Sequence, residues 1–103
     1  MKLKAVSLID KAINELRRIY KAAYYESSSI CSCLNRDVVI YQRNVSQYLL
    51  QELKIMKKGI IGAYNNYGVI TSPKEVEIWL TNNFPLLNFD YSKEYLKRIF
   101  VNH

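Results

Sequence analysis

The chain has 103 residues (12.1 kDa), half of them hydrophobic and 23% charged, so it holds one domain with enough apolar side chain for a modest core. Three glycines and two prolines are too few for an all-β sandwich built on many tight turns. The single histidine is the last residue, which nearly excludes histidine-based catalysis and zinc sites needing histidines, and two cysteines exclude a four-cysteine site.

The first helix is expected from Lys2 to Tyr25. Leu3, Val6, Ile9, Ile13, Leu16, Tyr20 and Ala23 fall three or four apart, and Leu8, Ile19 and Tyr24 widen that stripe. Lys11 with Glu15, and Glu15 with Arg18, can pair along the outer face. Glu26-Ser27-Ser28-Ser29 should end it, because serines favour local side-chain bonds over helix continuation. Ile30 to Leu34 alternates apolar and small residues and fits a short strand, a turn or a helical piece equally well. Cys31 and Cys33 lie two apart, unlike a C-x-x-C redox or metal pair, and read as reduced thiols.

A second helix is expected from Asp37 to Ala63, with Asn35 or Asp37 as its cap. Its apolar stripe is Val38, Tyr41, Val45, Leu49, Leu53, Met56 and Ile60, flanked by Tyr48 and Ile55. Gly59 and Gly62 weaken its end, each by about 1 kcal/mol relative to alanine. Asn65-Asn66-Tyr67-Gly68 reads as a turn and Val69-Ile70-Thr71 as a short extended piece. Ser72-Pro73-Lys74-Glu75 is the sharpest local signal: Ser72 caps a third helix, Pro73 takes its first position, and Glu75 completes a capping box. That helix should reach Asn83 with Val76, Trp79 and Leu80 inward, and stop at Phe84-Pro85. Leu86, Leu87 and Phe89 are expected to pack as a linker. Asp90 or Ser92 should cap a last helix ending near Val101, with Tyr95, Leu96, Ile99 and Phe100 buried.

The expected fold is therefore all-α: a small helical bundle in one domain over 1–103. Two long antiparallel helices bury each other's stripes and two short C-terminal helices close the core, with one short irregular or extended segment. No apolar run nears the ~20 residues of a membrane span and no signal peptide is visible, so a cytoplasmic protein without a membrane partner is expected.

The net charge of +6 is unevenly placed. Eleven basic and five acidic residues precede Gly59, and four of each follow it. Such asymmetry points to nucleic acid, an acidic protein or a charged surface as partner. On the second helix Arg43, Gln47, Gln51, Lys54 and Lys58 recur at three- or four-residue steps with Lys57 beside them. These side chains carry the donors that phosphates and base edges require. On the first helix Lys4, Lys11, Arg17, Arg18 and Lys21 form a weaker set, partly neutralised by Asp10 and Glu15. Among nine tyrosines, Tyr64 and Tyr67 fall in the Asn-rich stretch, where they can stack on bases or partner residues. Calling Ser72–Asn83 a DNA-recognition helix would aim Glu75 and Glu77 at phosphates, which is electrostatically poor.

No P-loop, dinucleotide-binding glycine motif, nucleophile elbow, zincin motif or EF-hand occurs, so neither an enzyme nor a cofactor is expected. The leading expectation is a small non-enzymatic interaction protein that binds and blocks a larger protein or nucleoprotein complex. A viral or phage inhibitor of host defence, of the anti-CRISPR kind, is one example, and it would work in the host cytoplasm. The Ile-, Lys-, Asn- and Tyr-rich usage fits an AT-rich coding source, as in many phages, archaeal viruses and low-GC bacteria. The alternative is a basic transcriptional regulator that binds DNA or RNA directly, and a weaker one is a bacteriocin-type immunity protein. Leftover apolar surface makes a homodimer a further candidate.

Overall fold

The computed structural model describes residues 3–28, 36–87 and 89–101, with side-chain environments for 3–22, 39–87, 93 and 95–101. Helix α1 spans Lys4–Ser28, α2 Arg36–Tyr67, α3 Pro73–Asn83 and α4 Phe89–Val101, and a single 3₁₀ turn, Phe84–Leu86, links α3 to α4. The fold is the expected all-α bundle. From Ser28 to Arg36 the chain can reach at most ~28 Å. That is less than the ~37 Å length of α1, so α2 must run back along it. Asp10, near the start of α1, accordingly meets Lys57, near the end of α2. The molecule is elongated, 52 × 24 × 19 Å.

α1 sits at the centre. Leu3, Ala5, Leu8, Ile9, Ala12, Ile13, Leu16 and Ile19 are all buried, and α2, α3 and α4 each pack on it. Its apolar arc is wider than a single seam because it serves three neighbours. Glu15 pairs with Arg18 on its own helix at 3.5 Å and with Arg98 of α4 at 3.7 Å. The Arg98 guanidinium also lies 5.4 Å from the centre of the Tyr95 ring. A mostly buried carboxylate thus ties α4 to the hub. The serines do not stop α1 at Tyr25, since the helix includes Ser27 and Ser28.

α2 departs from the expected phase in its first half. The buried positions are Val39, Gln42, Ser46, Leu49, Leu50, Leu53 and Ile60, whereas Tyr41 is half exposed. Stepping back from Leu53 and Leu49 by threes and fours lands on 46, 42 and 39. Two of those places hold polar residues, so the apolar pattern points one residue off, to Val38, Tyr41 and Val45. Burial of Ser46 is satisfied locally: its hydroxyl donates to the Gln42 carbonyl at 2.6 Å and contacts the Arg43 carbonyl at 3.1 Å. Tyr48 and Ile55, expected beside the core, are exposed.

α2 also continues past Ala63 through Asn65 and Asn66 to Tyr67. The stop is Gly68, at φ +67°, a left-handed conformation that glycine adopts without a Cβ clash. Gly68 N–H donates to the Tyr64 carbonyl at 2.9 Å and Val69 N–H to that of Ala63 at 3.3 Å, closing the helix end. Residues 68–72 are irregular rather than extended strand.

Ser72 caps α3 as expected, but its hydroxyl accepts from Lys74 N–H at 3.2 Å, one residue short of the capping-box position. Glu75 instead donates its own N–H to the Ser72 carbonyl at 3.1 Å. It serves as a first-turn acid that favours the helix dipole. Val76 and Leu80 are buried while Trp79 is half-buried against the core. Phe84 and Leu87 are buried, but Leu86 between them points outward because the 3₁₀ turn rotates it away. α4 begins at Phe89, so Asp90 and Ser92 lie inside it, and Ile99 is its buried anchor. The environments of Ala23, Tyr24 and Val38, the segment with Cys31 and Cys33, and Asn35 fall outside the described residues.

Phe84 plugs the junction of α3, α4 and the hub without any solvent contact. Phe84→Ala should therefore lower unfolding free energy by about 3–5 kcal/mol in urea titrations, whereas Leu86→Ala should change it by less than ~0.5 kcal/mol.

Candidate functional site

The packing of α1 on α2 fixes which side chains border their seam. On α1 these are Asp10, Ile13, Asn14 and Arg17; on α2 they are Lys54, Lys57, Lys58 and Ile61. Both sets share the spacing 0, 3, 4, 7, which is one edge of a helix beside its buried stripe. Antiparallel pairing sets the two edges side by side along an open groove of about 640 Å³. Ile13 is buried and Ile61 half-buried, so the floor is apolar and the walls are charged.

Four cations face one carboxylate there. Lys57 Nζ lies 2.6 Å from Asp10 Oδ1, a bond that crosses the groove with both partners partly exposed. Arg17, Lys54, Lys58 and Asn14 are exposed. The groove thus keeps a positive surplus over a short span, since Lys54 and Lys58 are one turn, about 6 Å, apart along the axis. The apolar floor of Ile13 and Ile61 beneath these charges focuses such a field outward.

The expected α2 set is only partly gathered here. Lys54, Lys57 and Lys58 line the groove, and Gln51 and Gln47 are exposed about one and two turns nearer the start of the same helix. Arg43 is half-buried and already engaged in an interaction of its own. Tyr64 and Tyr67 are not in a loop: both belong to the last turns of α2. Tyr64 packs against the core, and Tyr67, 82% exposed, follows Lys58 by nine residues, which places it on the opposite side of the helix. Neither reaches the groove. Asp10, Asn14 and Arg17 are the contribution that the α2 stripe alone does not reveal. Their signal in the sequence is the spacing they share with Lys54, Lys57, Lys58 and Ile61.

Among the described residues, no three His, Cys, Asp or Glu side chains converge as metal ligands would, and no helix is long and apolar enough to cross a membrane. No family model matches the chain, and comparison with curated proteins and with solved structures gives no match either.

The Asp10–Lys57 pair is solvent-accessible, so its loss should cost at most about 1 kcal/mol of stability. Asp10→Asn leaves Lys57 available to the groove. The variant should elute from heparin at higher salt than the parent while its urea midpoint barely moves. Unchanged or earlier elution would show that Lys57 is not a cation of the groove.

Proposed function

We propose that this chain is a non-catalytic helical binding protein whose α1–α2 groove grips the phosphate backbone of a nucleic acid, free or held within a nucleoprotein complex. The observation that carries this reading is the convergence of Arg17, Lys54, Lys57 and Lys58, from two helices, on one groove with a single carboxylate. Lysine and arginine at helix edges release counterions on meeting phosphates, which supplies affinity without sequence preference. Gln47 and Gln51, exposed along the same helix, add groups that can donate to and accept from base edges. The groove offers lysines, an arginine, an asparagine and one aspartate, a set suited to holding an anion rather than to breaking a bond. Bound to nucleic acid inside a larger assembly, the chain would act by covering the surface it occupies, which is how an inhibitor of such an assembly would work.

Fluorescence anisotropy with labelled single-stranded DNA, duplex DNA and RNA tests this directly. With about three to four phosphates neutralised, log K should fall against log salt with a slope near −3, and binding should weaken by well over an order of magnitude between ~50 and ~200 mM salt. Lys54→Glu with Lys58→Glu should abolish most of the binding and flatten that slope. Lys97→Glu, a charge reversal on the exposed face of α4, should leave both nearly intact. Absence of binding to all three probes at low salt contradicts the reading.

A further inference from the structure

α2 carries a third face besides the buried one and the basic one. Tyr41, Tyr48 and Ile55 recur at seven-residue intervals and are 50%, 55% and 66% exposed. Val45 and Glu52, both half-buried, fill the intervening steps, and Gly59 continues the line. This face lies about a third of a turn from the basic edge. It holds a single charge, Glu52, on a chain of net charge +6.

Among the described residues no contact calls for glycine at Gly59, as none does at Gly62. Gly59 sits inside α2, where glycine costs about 1 kcal/mol relative to alanine. A Cβ there would meet nothing within 4 Å, so no neighbouring helix of this chain demands its absence. Beside it opens a groove of about 330 Å³ lined by Met56, Ile60, Val76 and Trp79, with Thr71 and the Glu75 carboxylate also on its wall, where the latter can accept from a phenol. The α2 face thus ends in a hollow at one end and in the half-exposed Tyr41 ring at the other.

We propose that this face docks a second copy of the chain, α2 against α2 in antiparallel orientation, about a twofold axis near the midpoint of Tyr48 and Glu52. Tyr41 then enters the hollow at Gly59 of the partner subunit, Val45 packs on Ile55 of the partner subunit, and the Tyr48 phenol donates to the carboxylate of Glu52 of the partner subunit. Each contact occurs twice, as a closed isologous interface requires. A parallel arrangement would instead set Glu52 against its own copy, stack ring on ring at Tyr41 and leave a void where glycine faces glycine. Two +6 chains can approach only through a face of low charge, and the antiparallel order also opposes the two helix dipoles. Tyr41 and Tyr48, at roughly 200 Å² each and half exposed, supply on the order of 200 Å² per partner, about a quarter of the roughly 800 Å² of a standard interface, so the pairing is a small, concentration-dependent one. The basic grooves stay open on both subunits, so this pairing does not depend on the nucleic-acid reading.

Sedimentation equilibrium of the full chain, carried to ~0.2 mM, reads the association directly. The expected result is a species of twice 12.1 kDa. Gly59→Leu should keep the helical circular dichroism, because the position is exposed and a Cβ there meets nothing within 4 Å among the described residues. It should raise the dissociation constant about tenfold or more, the scale of overpacking in a close-packed contact. Orientation is tested in a Cys31→Ser, Cys33→Ser background by mixing Val45→Cys and Ile55→Cys proteins under mild oxidation. The mixed disulfide should form in preference to either symmetric one. A monomer at every concentration overturns the proposal, as does a dimer indifferent to Gly59→Leu and Tyr48→Glu. A predominance of symmetric disulfides overturns the antiparallel arrangement.

Discussion

Everything in this molecule is arranged by the burial of α1. Among the described residues seven of its side chains, and Leu3 just before it, are withdrawn from water, and the three other helices each touch it. An isolated helix with so broad an apolar arc is not stable in water, so the chain must wrap it. Ala5 and Ala12, fully buried within that arc, let a neighbouring helix come close without leaving gaps. Leu8, Ile9 and Leu16 of α1 and Leu49 and Leu53 of α2 share one buried cluster, and Val76, Leu80, Phe84, Leu87 and Ile99 complete it from the C-terminal segments. The surface chemistry follows from this arrangement. Once the buried stripes fix the rotation of both long helices, the residues bordering them have no choice about where they emerge.

The basic groove is the direct product of that constraint. Arg17 is seven residues beyond Asp10, and Ile61 seven beyond Lys54, so two similar edges meet when the helices run antiparallel. The same rotation carries Tyr41, Tyr48 and Ile55 to a different side of α2, and Tyr67 away from the lysines. One helix therefore presents three surfaces of distinct chemistry: an apolar seam for its own hub, a cationic edge for an anion, and an aromatic face of low charge. Lys57 marks the boundary where packing and binding compete, because Asp10 already holds its ammonium group at 2.6 Å.

Much of the fold was legible in the sequence wherever one kind of residue dominated a period. The α1 stripe is almost wholly apolar, and Ser72-Pro73 places the start of α3 to the residue. Legibility failed where polar residues occupy buried positions. Ser46 and Gln42 lie in the seam, with Ser46 satisfied by backbone carbonyls, and the eye is drawn to the tyrosine and valines next to them. It failed again at the end of α2, where Asn65 and Asn66 suggest a turn. The packing of Tyr64 against the core and the left-handed Gly68 outweigh that preference. At the site, the lysines of α2 were visible as a periodic stripe. Arg17 and Asp10 were legible only as part of the weaker charge set on α1, and Asn14 not at all, since only the partnering of two helices joins Asp10 to Lys57, 47 positions away.

The central claim is that residues from both long helices act as one anion-binding surface. Its most direct test is an amide chemical-shift titration of the isotopically labelled chain with a short oligonucleotide at low salt. The account expects the largest shifts together at Asn14, Arg17, Lys54, Lys58 and Ile61, with little change along Tyr41, Tyr48 and Ile55. Shifts confined to α2 alone, or centred on the tyrosine face, would contradict it.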